Sequence, residues 1–324
     1  MTHLLVTGAH GFIGKAVCAA LIADHNGSQP NKMSAAVRTA AMCPDAVAPI
    51  VVGDMDATTD WAAALQTVDV VVHLAARVHV MRDKAADPLA EFRKTNVDGT
   101  MNLARQALQA GVRRFIFISS IKVNGEYTLP GCPFTADGRL APLYPYALSK
   151  YEAEQALREL TANSAMELVI IRPPLVYGPG VKANFRTMLR CLDNCMPMPL
   201  GAIENRRSLL ALDNLVDLIL ICIHHPAAAN QVFLAADGED LSTTQLLHRA
   251  AAALGKTAFL LPVPIRLLAV VARLSGKSGV VQRLSGSLQI DIGKTRSLLG
   301  WMPPVSVTDA LAKTAQDYIT HHRC

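Results

Sequence analysis

His3-Leu4-Leu5-Val6-Thr7-Gly8-Ala9-His10-Gly11-Phe12-Ile13-Gly14 is the stretch on which the fold turns. An apolar, β-prone run leads into three glycines spaced by threes, and Lys15-Ala16-Val17-Cys18-Ala19-Ala20-Leu21-Ile22 continues with a helical pattern. Strand, tight turn and helix start in that order form the opening of a βαβ unit that binds a dinucleotide. Gly8 permits the turn, and Gly11 lets the backbone approach a diphosphate with no Cβ in the way. Gly14 lets the helix lie against the strand while the N–H groups at its start, around Phe12 and Ile13, face the anion. A glycine triplet alone is a weak signal, and the rest of the chain decides its weight.

With 324 residues the chain is long enough for a large α/β core and a smaller appended part. Hydrophobic residues at 51% against 18% charged exclude disorder and raise the question of a membrane. Gly8 cuts the first apolar run too early for a secretory leader, and no run reaches spanning length. The nearest are Leu209 to Ile223, broken by Asp213, Asn214 and Asp217, and Leu260 to Leu274, broken by Pro262, Pro264, Arg266 and Arg273. Both read as buried helices, the second with a membrane-surface contact or a subunit interface as its alternative. A net charge of +5 without a Lys/Arg block does not imply nucleic acid and suits a diphosphate ligand. Seven scattered cysteines fit a reducing cytoplasm better than a disulfide framework. Cys191 and Cys195 could share a helix face, but no second Cys/His pair has zinc spacing, so no metal site is expected and these thiols read as buried.

Met33-Ser34-Ala35-Ala36-Val37-Arg38 reads as a second strand whose end meets the adenine ribose in such folds. An acidic residue there would accept from the 2′-hydroxyl; a guanidinium favours a 2′-phosphate, so Arg38 leans towards NADP(H), with NAD(H) possible. Pro49 to Met55 is a third strand, placing Asp54 and Met55 near the adenine or, equally, Asp54 in a turn. Asp69 to Ala76 is a parallel-type strand whose small end, Leu74-Ala75-Ala76, leaves room for a cofactor, and His73 reads as a packed strand residue. A helical region follows from Pro88 to Ala110 with Asn96 inside it, where an amide is locally unfavourable unless it binds backbone. Arg113 to Ser120 is a strand ending in two hydroxyls at the carboxyl edge, where ligands bind in this architecture. Tyr146 and Lys150 then open a helix on one face, and an ammonium beside a phenol of pKa about 10 favours the phenolate.

Gly8-x2-Gly11-x2-Gly14, Asn96, Ser120 and Tyr146-x3-Lys150 resemble the extended short-chain dehydrogenase/reductases. Arg172-Pro173, Val176-Tyr177-Gly178-Pro179-Gly180 and Leu298-Leu299-Gly300-Trp301-x-Pro303 resemble their nucleotide-sugar branch, the NAD-dependent epimerases/dehydratases. The resemblance implies Tyr146 as general acid/base, Lys150 on the nicotinamide ribose, Ser120 on the reacting oxygen and Asn96 as support. It implies Pro173 beside the cofactor, and Asn184, Arg207 and Arg283 on a nucleoside diphosphate. Fold and domains follow: a Rossmann-like doubly wound parallel sheet over 1–174 and about 205–236, and a smaller nucleotide-sugar-binding part over 175–204 and 237–324. A homodimer through a four-helix contact is usual in such families.

Departures from the family pattern narrow the reading. Sugar 4,6-dehydratases carry an Asp-Glu pair where this chain has Ile121-Lys122, and the related decarboxylase a Glu where Lys122 stands. Val123-Asn124-Gly125 and Leu175 depart from the 4-epimerases. The Ser119 to Glu126 stretch, with Val181 to Phe185, is most similar to bacterial surface-polysaccharide reductases acting on UDP-4-keto-6-deoxy-N-acetylhexosamines. The leading expectation is therefore a C4 reductase with a UDP-sugar substrate, with Lys122, Leu175 and Leu288 near the sugar. A UDP-hexose 4-epimerase using the same residues is the alternative, and a non-catalytic nucleotide sensor is disfavoured by the intact Tyr/Lys pair.

Overall fold

The computed structural model describes residues 2–23, 32–43, 47–78, 87–274 and 278–322. The opening apolar run becomes strand β1 (His3–Thr7) and the segment after the glycines helix α1 (Phe12–Ala23). The alternation continues with β2 (Lys32–Val37), β3 (Ala48–Val51), β4 (Val70–His73), α2 (Pro88–Arg93), α3 (Thr100–Gln109), β5 (Arg114–Ile118), α4 (Pro145–Thr161) and β6 (Glu167–Arg172). Beyond β6 come β7 (Val176–Tyr177), α5 (Ala183–Asp193), β8 (Arg207–Ser208), β9 (Leu210–Ala211), α6 (Leu212–His224), β10 (Gln231–Leu234) and β11 (Asp240–Leu241). The chain closes with α7 (Thr243–Ala253), α8 (Ile265–Leu274), α9 (Ser278–Ser285), α10 (Gly293–Leu299) and α11 (Val307–His322).

Seven strands form one all-parallel sheet in the order β10-β6-β5-β4-β1-β2-β3. The chain runs outward from β1 to β3 and then returns to add β4 on the other side of β1, so the order reverses there and opens a crevice at the carboxyl ends. Both faces are covered, which is why the strands are apolar without alternation. Leu4, Val6, Val70 and Val72 face Val17, Leu21, Leu215 and Ile219 of α1 and α6. Leu5, Val71, Phe115 and Phe117 face Leu103, Ala104, Ala153 and Leu157 of α3 and α4. The fold is thus the Rossmann-like α/β architecture expected.

Strands stop earlier than the apolar pattern suggests. Asp54 and Met55, Leu74 to Ala76, and Ser119 with Ser120 all lie in loops past the carboxyl edge, where the chain leaves its ladder to cross over the sheet. The helical region from Pro88 is also not uniform: Lys94–Gly99 widens into a π-helical stretch between α2 and α3. Gly99 lies in it, pressed on the loop after β3; a Cβ there would stand 3.0 Å from the Met55 backbone oxygen.

The apolar stretch at 209–223 does become a buried helix, α6. Its end is capped by the buried Arg114, whose Nη1 donates to the carbonyls of Cys222 (2.6 Å) and His225 (3.0 Å) while Nε donates to Glu167 (2.6 Å). The stretch at 260–274 departs from the expectation of burial. In α8, Leu267, Val270, Val271 and Leu274 are 56%, 56%, 57% and 85% exposed. A ten-residue helix that packs along one stripe, through Leu268 and against α9, has more apolar circumference than it can bury. No helix among the described residues is long and apolar enough to cross a membrane.

The thiols also differ from expectation. Cys18 and Cys222 are buried and free, but Cys132 and Cys195 are exposed. Cys195 lies past the end of α5 with φ 52°, a left-handed turn that carries it off the helix face it was expected to share with Cys191; Cys324 lies outside the described residues.

Past β6 the chain builds a second core from Tyr177, Phe185, Leu189, Leu247, Leu311 and their neighbours, drawn from α5, α7 and α11. Two short sheets, β7–β9 and β8–β11, lie in this later part of the chain.

Candidate active site

The glycine turn is closed by the Gly11 N–H donating to the Gly8 carbonyl at 2.9 Å. Gly8 has φ +68°, and a Cβ there would lie 2.7 Å from the Ala75 nitrogen; one at Gly14 would lie 2.1 Å from the Gly8 oxygen. Both positions require glycine for packing. A Cβ at Gly11 would meet only the Gly8 oxygen, at 3.1 Å, so its other side is open. The first turn of α1, where Phe12, Ile13 and Gly14 stand, carries no acidic residue, so its unshared N–H groups and dipole end are available to an anion.

Across the crevice the β4 loop is tied to β1. Thr7 Oγ1 accepts from the Ala75 N–H (3.2 Å) and pairs with His73 Nδ1 (2.7 Å), whose Nε2 pairs with Thr100 Oγ1 (2.9 Å). Burial holds the His73 ring neutral, its pKa pushed down to about 3 with Lys150 adding to the effect. The ring is a packed strand residue, stacked on Phe117.

Asn96 sits in the π-helical stretch, buried. Its amide oxygen accepts from the Arg77 N–H (2.8 Å), and its Nδ2 donates to the Arg77 carbonyl (3.0 Å) and to Ser149 Oγ (3.0 Å). Ser149 Oγ in turn donates to the Tyr146 carbonyl at 2.9 Å. The amide thus links the β4 loop to the first turn of α4, and the wide helical turn presents it there.

Pro145 at the first position of α4 sets the start of that helix, and Tyr146 and Lys150 follow on one face. The half-buried Tyr146 carries its phenol beside the Ser120 hydroxyl, and its ring lies edge-on to Phe92. Burial pushes its pKa up to about 12, against a smaller pull downward from the Ser120 hydrogen bond. Ser120 Oγ also accepts from the Lys122 N–H at 3.2 Å, which fixes the hydroxyl at the start of a short 3₁₀ turn. Lys150 Nζ donates to the Ile118 carbonyl (2.9 Å) and sits 4.4 Å from the Phe117 ring centre. Burial lowers its pKa to about 7, with Glu154 one turn later opposing the shift. Phenol and hydroxyl therefore stand side by side past the carboxyl end of β5, with the Lys150 ammonium anchored on the last carbonyl of that strand. Beside them Ser119 holds a buried hydroxyl with no partner among the described residues, a group that a polar ligand would satisfy.

One layer behind lies a network that sequence reasoning did not single out. Arg172, at the end of β6, donates through Nε to Glu154 (2.9 Å) and through Nη1 to Asn124 Oδ1 (3.1 Å), and both charged side chains are essentially unexposed. Asn124 Nδ2 donates to the Thr135 carbonyl at 3.0 Å. The buried Pro173 that follows accepts from the Ile121 N–H at 3.0 Å. Together these hold α4, the turn after Ser120 and the end of β6 in one arrangement.

Arg38 and Asp54 meet each other, Nε to Oδ1 at 3.1 Å, with side chains 61% and 83% exposed. The cation from which a 2′-phosphate preference was read is therefore already paired with a carboxylate. On the other side, Lys122 forms an ion pair with the half-buried Glu126. Arg207 is held by the backbone: Nη1 donates to the carbonyls of Arg283 (2.9 Å) and Gly286 (2.8 Å), and burial lowers its pKa while Glu126 opposes. The exposed Arg283 side chain instead returns to its own helix, at the Gly279 carbonyl, 3.0 Å away. Asn184 stands exposed in the first turn of α5, Leu175 is exposed, and Leu288 is buried with Ile121 behind Ser120.

Comparison with known proteins agrees with this geometry. The chain is 49% identical to a UDP-glucose 4-epimerase of Vibrio cholerae over 98% of its length and 95% of that protein's. It is 28% identical to the N-acetyl-alpha-D-glucosaminyl-diphospho-ditrans,octacis-undecaprenol 4-epimerase of Escherichia coli O157:H7, covering 98% and 96% of the two chains. Among solved structures, the fold matches UDP-glucuronic acid 4-epimerase from Bacillus cereus in complex with NAD with a TM-score of 0.80, over 99% and 98% of the two chains at 21% identity. Residues 4–236 match the profile of the NAD dependent epimerase/dehydratase family, and the chain belongs to that family.

Proposed function

We propose that this protein is a UDP-hexose or UDP-N-acetylhexosamine 4-epimerase that works with NAD(H). The observation that carries the reading is that Tyr146 stands beside Ser120 past β5, with Lys150, one turn further along α4, anchored on the last carbonyl of that strand. The Vibrio cholerae relative supports epimerisation over the C4 reduction that the Ile121-Lys122 stretch suggests.

The residues present fit a dinucleotide. The open side of Gly11, the acid-free start of α1 with Phe12, Ile13 and Gly14, and the Leu74-Ala75-Ala76 loop would hold it, together with Met55, Tyr146, Lys150 and Pro173. When bound, that group supplies reversible two-electron chemistry at the sugar C4. On this reading residues 1–174 with about 205–236 carry it, and 175–204 with 237–324 grip the sugar nucleotide through Asn184, Arg207 and Arg283. Arg38, neutralised by Asp54, no longer favours a 2′-phosphate, and NAD(H) is the cofactor assigned.

The chain's own task is proton traffic at O4. Tyr146 takes the O4 proton as the ketone forms and returns it when the opposite configuration is made. Ser120 hydrogen-bonds the same oxygen and, by its bond to the phenol, lowers the cost of the phenolate. Lys150, anchored on the Ile118 carbonyl beneath them, brings a positive charge to the site when protonated.

The test uses purified protein and UDP-sugars. UDP-glucose or UDP-N-acetylglucosamine alone is expected to yield its C4 epimer without net consumption of NADH. Absence of epimer from either sugar, with steady NADH oxidation on a UDP-4-keto-6-deoxy-N-acetylhexosamine, would overturn the epimerase in favour of the reductase.

A further inference from the structure

The site uses the crevice and leaves α8 without a task. On a 3.6-residue period, Leu267, Val270, Val271 and Leu274 form one exposed aliphatic stripe. Leu268, off that stripe, lines a small apolar cavity with Met198, Leu200 and Leu284. Arg266 and Arg273, seven residues apart and exposed, run along one edge of the stripe. Phe259 and Leu261, just before the helix, are exposed too.

Charge around this face is one-sided. Residues 241–290 contain no Asp or Glu, against Lys256, Arg266, Arg273 and Arg283, while Arg249 is paired with Glu239. Elsewhere acidic residues are interspersed, so a cationic field is concentrated on the segment that also exposes the apolar helix.

We propose that α8 docks on the surface of an anionic lipid bilayer, with its aliphatic stripe in the headgroup boundary and Arg266 and Arg273 on lipid phosphates. A smooth aliphatic stripe flanked by arginines, whose long stems let the guanidinium groups reach the headgroups, has the chemistry of an interfacial helix. A second copy of this chain suits the face less well. A two-fold contact through α8 would set the cationic segment against itself, and Phe259 is the one Phe, Tyr or Trp in residues 241–290. The docked helix stands close to the sugar-nucleotide side, because α9, which packs on α8, ends in the carbonyls that hold Arg207. Membrane attachment would thus orient the grip of the site towards the bilayer.

The test is cosedimentation of the full chain with vesicles of equal parts phosphatidylglycerol and phosphatidylcholine, and with phosphatidylcholine alone. Binding to the anionic vesicles, weakening as salt is raised, is expected, with little binding to the neutral ones. Arg266→Gln with Arg273→Gln should weaken partitioning by roughly tenfold or more. Leu267→Gln with Leu274→Gln should weaken it at least as much. Both double variants should keep the melting temperature and UDP-sugar turnover of the parent. No binding to anionic vesicles, or binding that survives the leucine changes, overturns the proposal. So does sedimentation velocity in which the parent self-associates and the leucine variant does not. Vesicle binding is read without catalysis, so failure of the epimerase assay leaves this result separate.

Discussion

The two ends of the crevice are built on opposite plans. At the β4–β5 edge, His73, Asn96, Lys150, Glu154 and Arg172 are buried and Tyr146 is half-buried, and burial leads the titration shifts of His73, Tyr146 and Lys150. On the side proposed to hold the sugar nucleotide, Asn184 and Arg283 are exposed, whereas Arg207 is half-buried with its guanidinium resting on backbone carbonyls. On the proposed reading, the groups that move a proton are held in place and largely dehydrated before a substrate arrives, which is where preorganisation is worth most. Of the groups proposed to grip an anion, Asn184 and Arg283 stay close to water, where a ligand can enter and leave.

The largest effect should come from the dry end. Tyr146→Phe is expected to lower turnover by roughly 10²–10⁴-fold, the usual worth of a positioned acid/base. Cofactor binding, followed by fluorescence, should be retained. Turnover close to the parent's would mean that the phenol is packing material and that the contrast between the ends is accidental.

Next comes the layer behind it. Glu154→Ala leaves Arg172 as an unpaired buried cation and should cost roughly 3–5 kcal/mol in urea unfolding. A loss near that of a surface pair would show that water reaches the network. On the other side, Arg207→Ala should raise the UDP-sugar KM by roughly tenfold with kcat changed by less than about threefold, because a grip removed equally from ground and transition states leaves turnover alone. A fall in kcat with KM unchanged would move Arg207 to the other class.

His73 gives the comparison a pH dependence. The folded ring takes a proton only near pH 3, whereas the ordinary value is 6.5. Between those values the unfolded chain binds more protons, so stability falls as pH drops through that window, by at most about 1.4 kcal/mol per pH unit. His73→Gln, able to donate to one threonine and accept from the other, should flatten that slope in melting experiments at pH 4 to 6.5. An unchanged slope would place the acid sensitivity elsewhere.

What was legible in the sequence follows the same division. Gly8 and Gly14 could be read because each marks a backbone approach that a Cβ would block, and Tyr146 with Lys150 because helix geometry alone puts them on one face. The Arg172–Glu154–Asn124 network could not: its members lie 18 and 48 residues apart and meet only when α4, β6 and the turn after β5 have packed. The π-helical stretch also has a non-local neighbour, since Gly99 in it lies against Met55 of the loop after β3. Arg38 was read as a free cation because its partner stands 16 residues away beyond another strand. For α8, apolar composition was visible but not its direction, because a short amphipathic helix looks the same whether its stripe faces a core or a surface.

The smallest effect is also the sharpest for the cofactor. The Arg38–Asp54 pair is exposed, so Arg38→Ala should change stability by less than about 1 kcal/mol. Its consequence lies in what a 2′-phosphate would meet. Arg38 would attract it, but Asp54, 3.1 Å from the guanidinium, would repel it and already occupies one of its donors. A 2′-hydroxyl pays neither cost, which favours NADH. Asp54→Asn removes the repulsion and frees the guanidinium, and should raise NADPH kcat/KM relative to NADH by a few-fold, on the order of 1 kcal/mol for a screened surface charge. Arg38→Ala should abolish that gain when combined with Asp54→Asn. If the parent already prefers NADPH, the ion pair opens on binding, and Arg38 acts as the unpaired cation that its position in the sequence suggests.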